Sequence, residues 1–85
     1  MGHEGTEGAI REILATYGRL NLPATEIAID ADLFTAGLDS QAVINVMLAI
    51  EERFDFEFPE DRLNRAAFAT IGSIVEVVEN AKASA

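Results

Sequence analysis

Few side chains in this sequence are placed to do chemistry, and one of them stands apart. Gly37-Leu38-Asp39-Ser40 leads into the apolar run Gln41 to Phe54. The pattern reads as a tight turn that delivers a serine to the first position of an amphipathic helix. Asp39 and Ser40 are both good N-caps, because either side-chain oxygen can accept from a free N–H of the first turn. One cap serves one helix end. The second hydroxyl is then left at an exposed turn, beside the positive end of the helix dipole. Taken alone, an Asp-Ser pair ahead of a helix is more often just a cap.

The other polar residues narrow the chemistry further. The single histidine, His3, lies in a start expected to be frayed, so no base is held against a serine nucleophile. Glu51-Glu52 and Glu60-Asp61 are sequence neighbours that diverge on a helix, and so form no acid/base pair. The absence of cysteine excludes disulfides, thiolate zinc sites and thiol catalysis. Asp30, Asp32 and Asp39 offer oxygen ligands, but their spacing departs from the calcium-loop pattern, and no metal is expected. There is no Gly-rich phosphate loop, and a chain this small has little material for a deep pocket. The residues describe a protein that is bound or acted upon rather than an enzyme.

Size and charge point the same way. Eighty-five residues make one domain, 1–85, near the lower limit for a self-sufficient core, with an ordered part expected over about 6–80. At 49% hydrophobic the chain is not disordered on compositional grounds. Fifteen acids against six bases give a net charge of −9, which repels phosphate backbones and anionic lipid and steers the chain towards basic protein surfaces. Neither nucleic acid nor membrane is an expected partner. With no apolar run long enough to span a bilayer and no signal-peptide pattern, the cytoplasm is the expected location and a monomer the expected state.

The elements that must position Ser40 follow from periodicity. Ile10, Ile13, Leu14 and Tyr17 define one face of a first helix over 6–19, capped by Thr6. A long connection from Leu20 to Leu38 is expected to be pinned by Leu22, Ile27, Ile29, Leu33 and Phe34, with a sharp turn at Gly37. On the second helix, stepping about 100° per residue, Val43, Val46, Met47, Ile50 and Phe54 share the core stripe. Ile44 and Leu48 fall outside it, among Gln41, Glu51, Glu52 and Asp55, and suggest a docking face. An extended stretch, Asp55 to Pro59, is expected to insert at least one phenylalanine into the core. A short third helix follows over 60–67, and a last one runs from its Thr70 cap to about Asn80, with a loose tail beyond. The sum is all-α: a small bundle of three ordinary helices and a short one.

The arrangement resembles the acyl carrier protein family. The residues that carry the likeness are Ala31-Asp32-Leu33, Gly37-Leu38-Asp39-Ser40, the helix ending Ala49-Ile50-Glu51-Glu52-Arg53-Phe54, and Phe58-Pro59, within a likeness spanning roughly 9–80. It implies a four-helix bundle of acyl-carrier type with a long first loop and a short third helix. It further implies that Ser40 receives 4′-phosphopantetheine from coenzyme A through a phosphopantetheinyl transferase, with Asp39 beside it as a recognition or metal-bridging group. The terminal thiol would hold an acyl or aminoacyl group for a loading ligase and a downstream transferase or synthase. Partners of the family read the second helix, which points to Gln41, Ile44, Leu48, Glu51 and Glu52, the face already marked by angle. Asn45 stands where fatty-acid carriers keep an acid, and the run Ile44 to Glu51 looks more like stand-alone aminoacyl carriers loaded with glycine or alanine by a ligase similar to seryl-tRNA synthetases. Fatty-acid or polyketide carriage is the alternative. A docking module with no prosthetic group is a further alternative, and a small oxygen-ligand metal protein a remote one.

Overall fold

Three apolar stripes in the sequence become three α-helices. The computed structural model describes residues 2–84, with side chains over 5–83. Helix α1 spans Gly2–Tyr17, α2 spans Ser40–Phe54 and α3 spans Ile71–Ser84. Short 3-10 turns at Ala24–Glu26, Glu60–Arg62 and Arg65–Phe68 occupy the connections, and the described residues contain no strand. Ile10, Ile13 and Leu14 from α1, Ala42, Val46 and Ile50 from α2, and Ile71, Ile74 and Val78 from α3 form the core. Phe58 closes its lower end, with ring centroids 5.2 Å from Phe56 and 5.1 Å from Phe68.

Helix α1 starts at Gly2 rather than at Thr6. Thr6 is not a cap: it is 1% exposed and its hydroxyl donates to Glu79 of α3, while Lys82 Nζ reaches the same oxygen at 3.1 Å. That tie, with Ala9 and Ile10 buried beside it, holds the first turns in place although three glycines, Gly2, Gly5 and Gly8, weaken them. The helix ends at Tyr17, which is exposed and so outside the expected stripe. Gly18 then passes so close to Leu14 O that a Cβ would sit 2.6 Å from it. Only glycine fits there.

The long connection is anchored by polar groups more than by its apolar ones. Ile27 and Leu33 are buried as expected, but Leu22 and Ile29 are exposed and Phe34 is half-buried. The work falls to Arg11 on α1, whose Nη1 donates to Ala24 O at 2.6 Å and Ile27 O at 2.7 Å while Nε binds Glu7 at 2.9 Å. Leu33 N donates to Ala69 O, just ahead of α3, and Gly72 N in the first turn of α3 donates to Ile29 O, tying the same connection to that end of the helix. Its two ends meet where Asn21 N binds Ala36 O, and Gly37 packs against Asn21 at φ +117, a left-handed conformation that suits glycine.

The expected helix over 60–67 is two 3-10 turns. Asn64 separates them: its backbone is extended and its Oδ1 accepts from Ala67 N at 2.9 Å, so it caps the second turn instead of continuing the first. Helix α3 begins as expected. Thr70 Oγ1 accepts from Ser73 N at 2.9 Å and Ser73 Oγ accepts from Thr70 N at 3.1 Å, a reciprocal capping pair. It continues past Asn80 to Ser84, because Lys82 is engaged by Thr6 and Glu79.

Candidate functional site

The turn before α2 divides the labour between its two polar residues. Asp39 has an extended backbone, φ −117 and ψ 177, and its Oδ1 accepts from Ala42 N at 2.8 Å. It is the N-cap. Ser40 is the first helical residue and is exposed, and its hydroxyl has no hydrogen bond among the described residues. An anion joined to that hydroxyl would lie at a helix N-terminus, where first-turn N–H groups lack intrahelical acceptors and the dipole favours negative charge. The Asp39 carboxylate opposes this mildly as a like charge. The arrangement fits a phosphodiester: a reachable oxygen with no competing partner, at a helix N-terminus whose Ala42 N–H alone is taken by the Asp39 side chain.

Helix α2 is rotated slightly from its expected seating. Ala42, Val46 and Ile50 are buried, whereas Val43, Met47 and Phe54 are half-buried at the edge of the stripe. Val43 and Met47 thereby line a groove of about 360 Å³ that opens beside Ser40. Phe34, Ile44, Leu63 and Phe68 complete its apolar walls, and Arg65 stands at it with Cζ 3.8 Å from the Phe34 ring centroid. None of this groove was legible as a groove from residue types alone, since it needs the rotation of α2 and the break at Asn64.

The outer face of α2 carries the remaining candidates. Ile44 is 49% and Leu48 53% exposed, flanked by exposed Gln41 and Glu52. Glu51 is different. It is half-buried, and its Oε2 accepts from Phe58 N at 2.8 Å, so it also fixes the chain after α2. Asp32 serves the first connection, where its Oδ1 accepts from Phe34 N at 2.9 Å and Thr35 N at 3.5 Å. The Phe34 N–H holds its carboxyl below the ordinary aspartate range. With that carboxylate committed to a turn, no group of three or more metal-ligating side chains forms among the described residues.

The family described as phosphopantetheine attachment site matches residues 9–78. The chain belongs to that family. Its members are carrier domains with a covalently attached 4′-phosphopantetheine, and the all-helical bundle is theirs. An aminoacyl carrier protein of Agrobacterium fabrum is 53% identical over 70 residues, covering 82% of this chain and 84% of that protein. The carrier protein from Agrobacterium tumefaciens, crystallised with an engineered Bradyrhizobium japonicum glycine:[carrier protein] ligase and ATP, superposes with a TM-score of 0.85 at 49% identity, covering 88% of this chain and 97% of that one. A holo acyl carrier protein from Nitrosomonas europaea gives a TM-score of 0.81 at 33% identity, over 94% and 98% of the two chains. No helix of this carrier among the described residues is long and apolar enough to cross a membrane.

Proposed function

We propose that this carrier is an aminoacyl carrier protein whose arm is attached at Ser40. The observation that supports the attachment point is the exposed, unbonded Ser40 hydroxyl beside a cap already filled by Asp39. In the attachment step Ser40 Oγ attacks the β-phosphorus of coenzyme A, the new O–P bond forms, and the bond to the departing 3′,5′-ADP breaks. The hydroxyl proton goes to a base on the transferase. When bound, the group supplies a thiol on a flexible arm that holds its cargo as a thioester. The chain itself holds, orients and presents, and carries out no catalysis.

The kinship with an aminoacyl carrier protein supports loading with a small amino acid, glycine or alanine, by an amino acid:carrier protein ligase acting from outside. A downstream transferase would then receive the cargo. Ile44 and Leu48 supply the apolar centre of the partner face, and Gln41, Glu51 and Glu52 its polar rim, with the net charge of −9 steering basic partners towards it. In this reading the 85 residues act as one monomeric domain in the cytoplasm.

One feature favours a second reading. The apolar groove beside Ser40 suits an uncharged acyl chain, as in fatty-acid or polyketide carriage. Loading separates the two: holo protein incubated with ATP, glycine or alanine and an amino acid:carrier protein ligase should gain the mass of one aminoacyl group, released by hydroxylamine. Failure to load, with acyl chains recovered on protein isolated from its host, would favour the second reading.

A further inference from the structure

The groove beside Ser40 carries an asymmetry of charge. The protein has fifteen acidic residues against six basic ones, yet no carboxylate lines this groove, and the one ionised side chain that does is Arg65. We propose that Arg65 makes the groove selective, so that it takes in an uncharged acyl chain and turns away the α-ammonium of an aminoacyl cargo. This rests on the carrier reading with the arm at Ser40, and it names what decides whether a cargo is sheltered or held out in water.

Three physical effects act together. Val43, Met47, Leu63 and Phe68 offer an ammonium no hydrogen-bond acceptor, and the two polar residues that also line the groove are engaged, Asn64 Oδ1 by Ala67 N and Ser40 Oγ by the arm, so entry costs the ammonium much of its hydration. The π-face of Phe34, the wall that would attract a cation, is already covered by the guanidinium at 3.8 Å. The guanidinium itself repels a second cation, and among the described residues it forms no salt bridge that would mask it. Asp32 acts on the guanidinium only as a weak Coulombic neighbour, because its carboxylate is turned to the N–H groups of Phe34 and Thr35 and forms no salt bridge with it. An alkyl chain meets none of these obstacles and gains the burial of its apolar surface.

The test uses two cargoes that share one carbon skeleton and differ only in the ammonium. Protein carrying leucyl or 4-methylpentanoyl on its arm is made by transferring the whole acyl-phosphopantetheine from the corresponding acyl-coenzyme A, with release of 3′,5′-ADP, and methyl NMR spectra are compared with the unloaded holo form. The 4-methylpentanoyl cargo should shift the methyls of Val43, Met47 and Leu63 beyond their linewidth and leave that of Ile10 in the core unmoved. The leucyl cargo should leave all of them at the holo positions. In Arg65→Glu, with its helical circular dichroism checked, the leucyl cargo should now produce the groove shifts. Equal shifts from both cargoes in the unaltered protein, shifts from neither, or a leucyl cargo still excluded in a folded Arg65→Glu would each overturn the role of Arg65. A protein that never gains the arm would instead refute the attachment at Ser40, and mass spectrometry shows that before any spectrum is recorded.

Discussion

Replacing Arg11 by methionine tests how the long connection ahead of Ser40 is held. Methionine keeps most of the apolar stem of the side chain and removes the guanidinium, with its bonds to Ala24 O at 2.6 Å and Ile27 O at 2.7 Å. Bonds with one charged partner contribute about 1.5–3 kcal/mol each, and an orphaned acceptor adds a penalty. Two features reduce the total. Ala24 O keeps a longer bond from Ile27 N at 3.4 Å, and the Arg11 side chain is 18% exposed, so water can reach part of the site. The loss of the Glu7 pair, an i,i+4 contact, adds only about 0.3–0.5 kcal/mol. The expected cost is therefore about 2–4 kcal/mol, a large share of the roughly 4–13 kcal/mol that 85 residues provide. Urea denaturation followed by circular dichroism should show it, with Tm lowered by about 10–30 °C. Arg11→Lys, which can reach fewer acceptors, should fall between. A cost below about 0.5 kcal/mol, within the range of ordinary surface substitutions, would mean that water replaces both bonds and that the connection is pinned by Ile27 and Leu33 alone.

The remaining predictions concern α2 and its approach. Leu48→Glu should change stability by less than about 0.5 kcal/mol while weakening binding to a loading ligase at least tenfold, measured by titration calorimetry; cooperative unfolding of that variant would place Leu48 in the core. Ile50→Ala, at a fully buried position two residues on, should cost about 2–5 kcal/mol in urea denaturation. Asp39→Ala should cost about 1 kcal/mol through loss of the cap to Ala42 N, and Asp39→Ser should recover most of it. Asp32 titrates below the ordinary aspartate range because the Phe34 N–H binds its ionised form. Its contribution to stability is therefore complete above the unfolded-state value near 4 and is lost as pH falls through the lower folded value. Carboxyl NMR titration should give a midpoint below that of a free aspartate, and a midpoint at or above it would mean the turn does not hold the carboxylate.

Much of this arrangement is written locally and is legible in the chain. The Thr70 cap, the exposed positions of Ile44 and Leu48, the glycine turn at Gly37 and the serine at the head of α2 all follow from residue types and spacing within a few positions. What sequence reasoning misses depends on distant partners. Thr6 reads as a helix start because its hydroxyl is a good cap, yet its bond goes to Glu79, 73 positions away. Arg11 carries no periodic or capping signal, and its bonds span 13 and 16 positions to two backbone carbonyls. Asn64 looks like an ordinary polar residue within a short helix, and its capping bond to Ala67 is what breaks that helix in two. The groove is lost for the same reason, since alanine at position 42 carries little weight in an apolar stripe and yet is fully buried, while Val43 and Met47 stay half-buried at the groove.

The central claim is that one exposed hydroxyl anchors the prosthetic arm. Apo protein incubated with coenzyme A, magnesium and a broad-specificity phosphopantetheinyl transferase, then digested and sequenced by mass spectrometry, tests it most directly. The mass should rise by one phosphopantetheine, localised to Ser40 and absent in Ser40→Ala. No gain by the folded protein, or the same gain in Ser40→Ala, would contradict it.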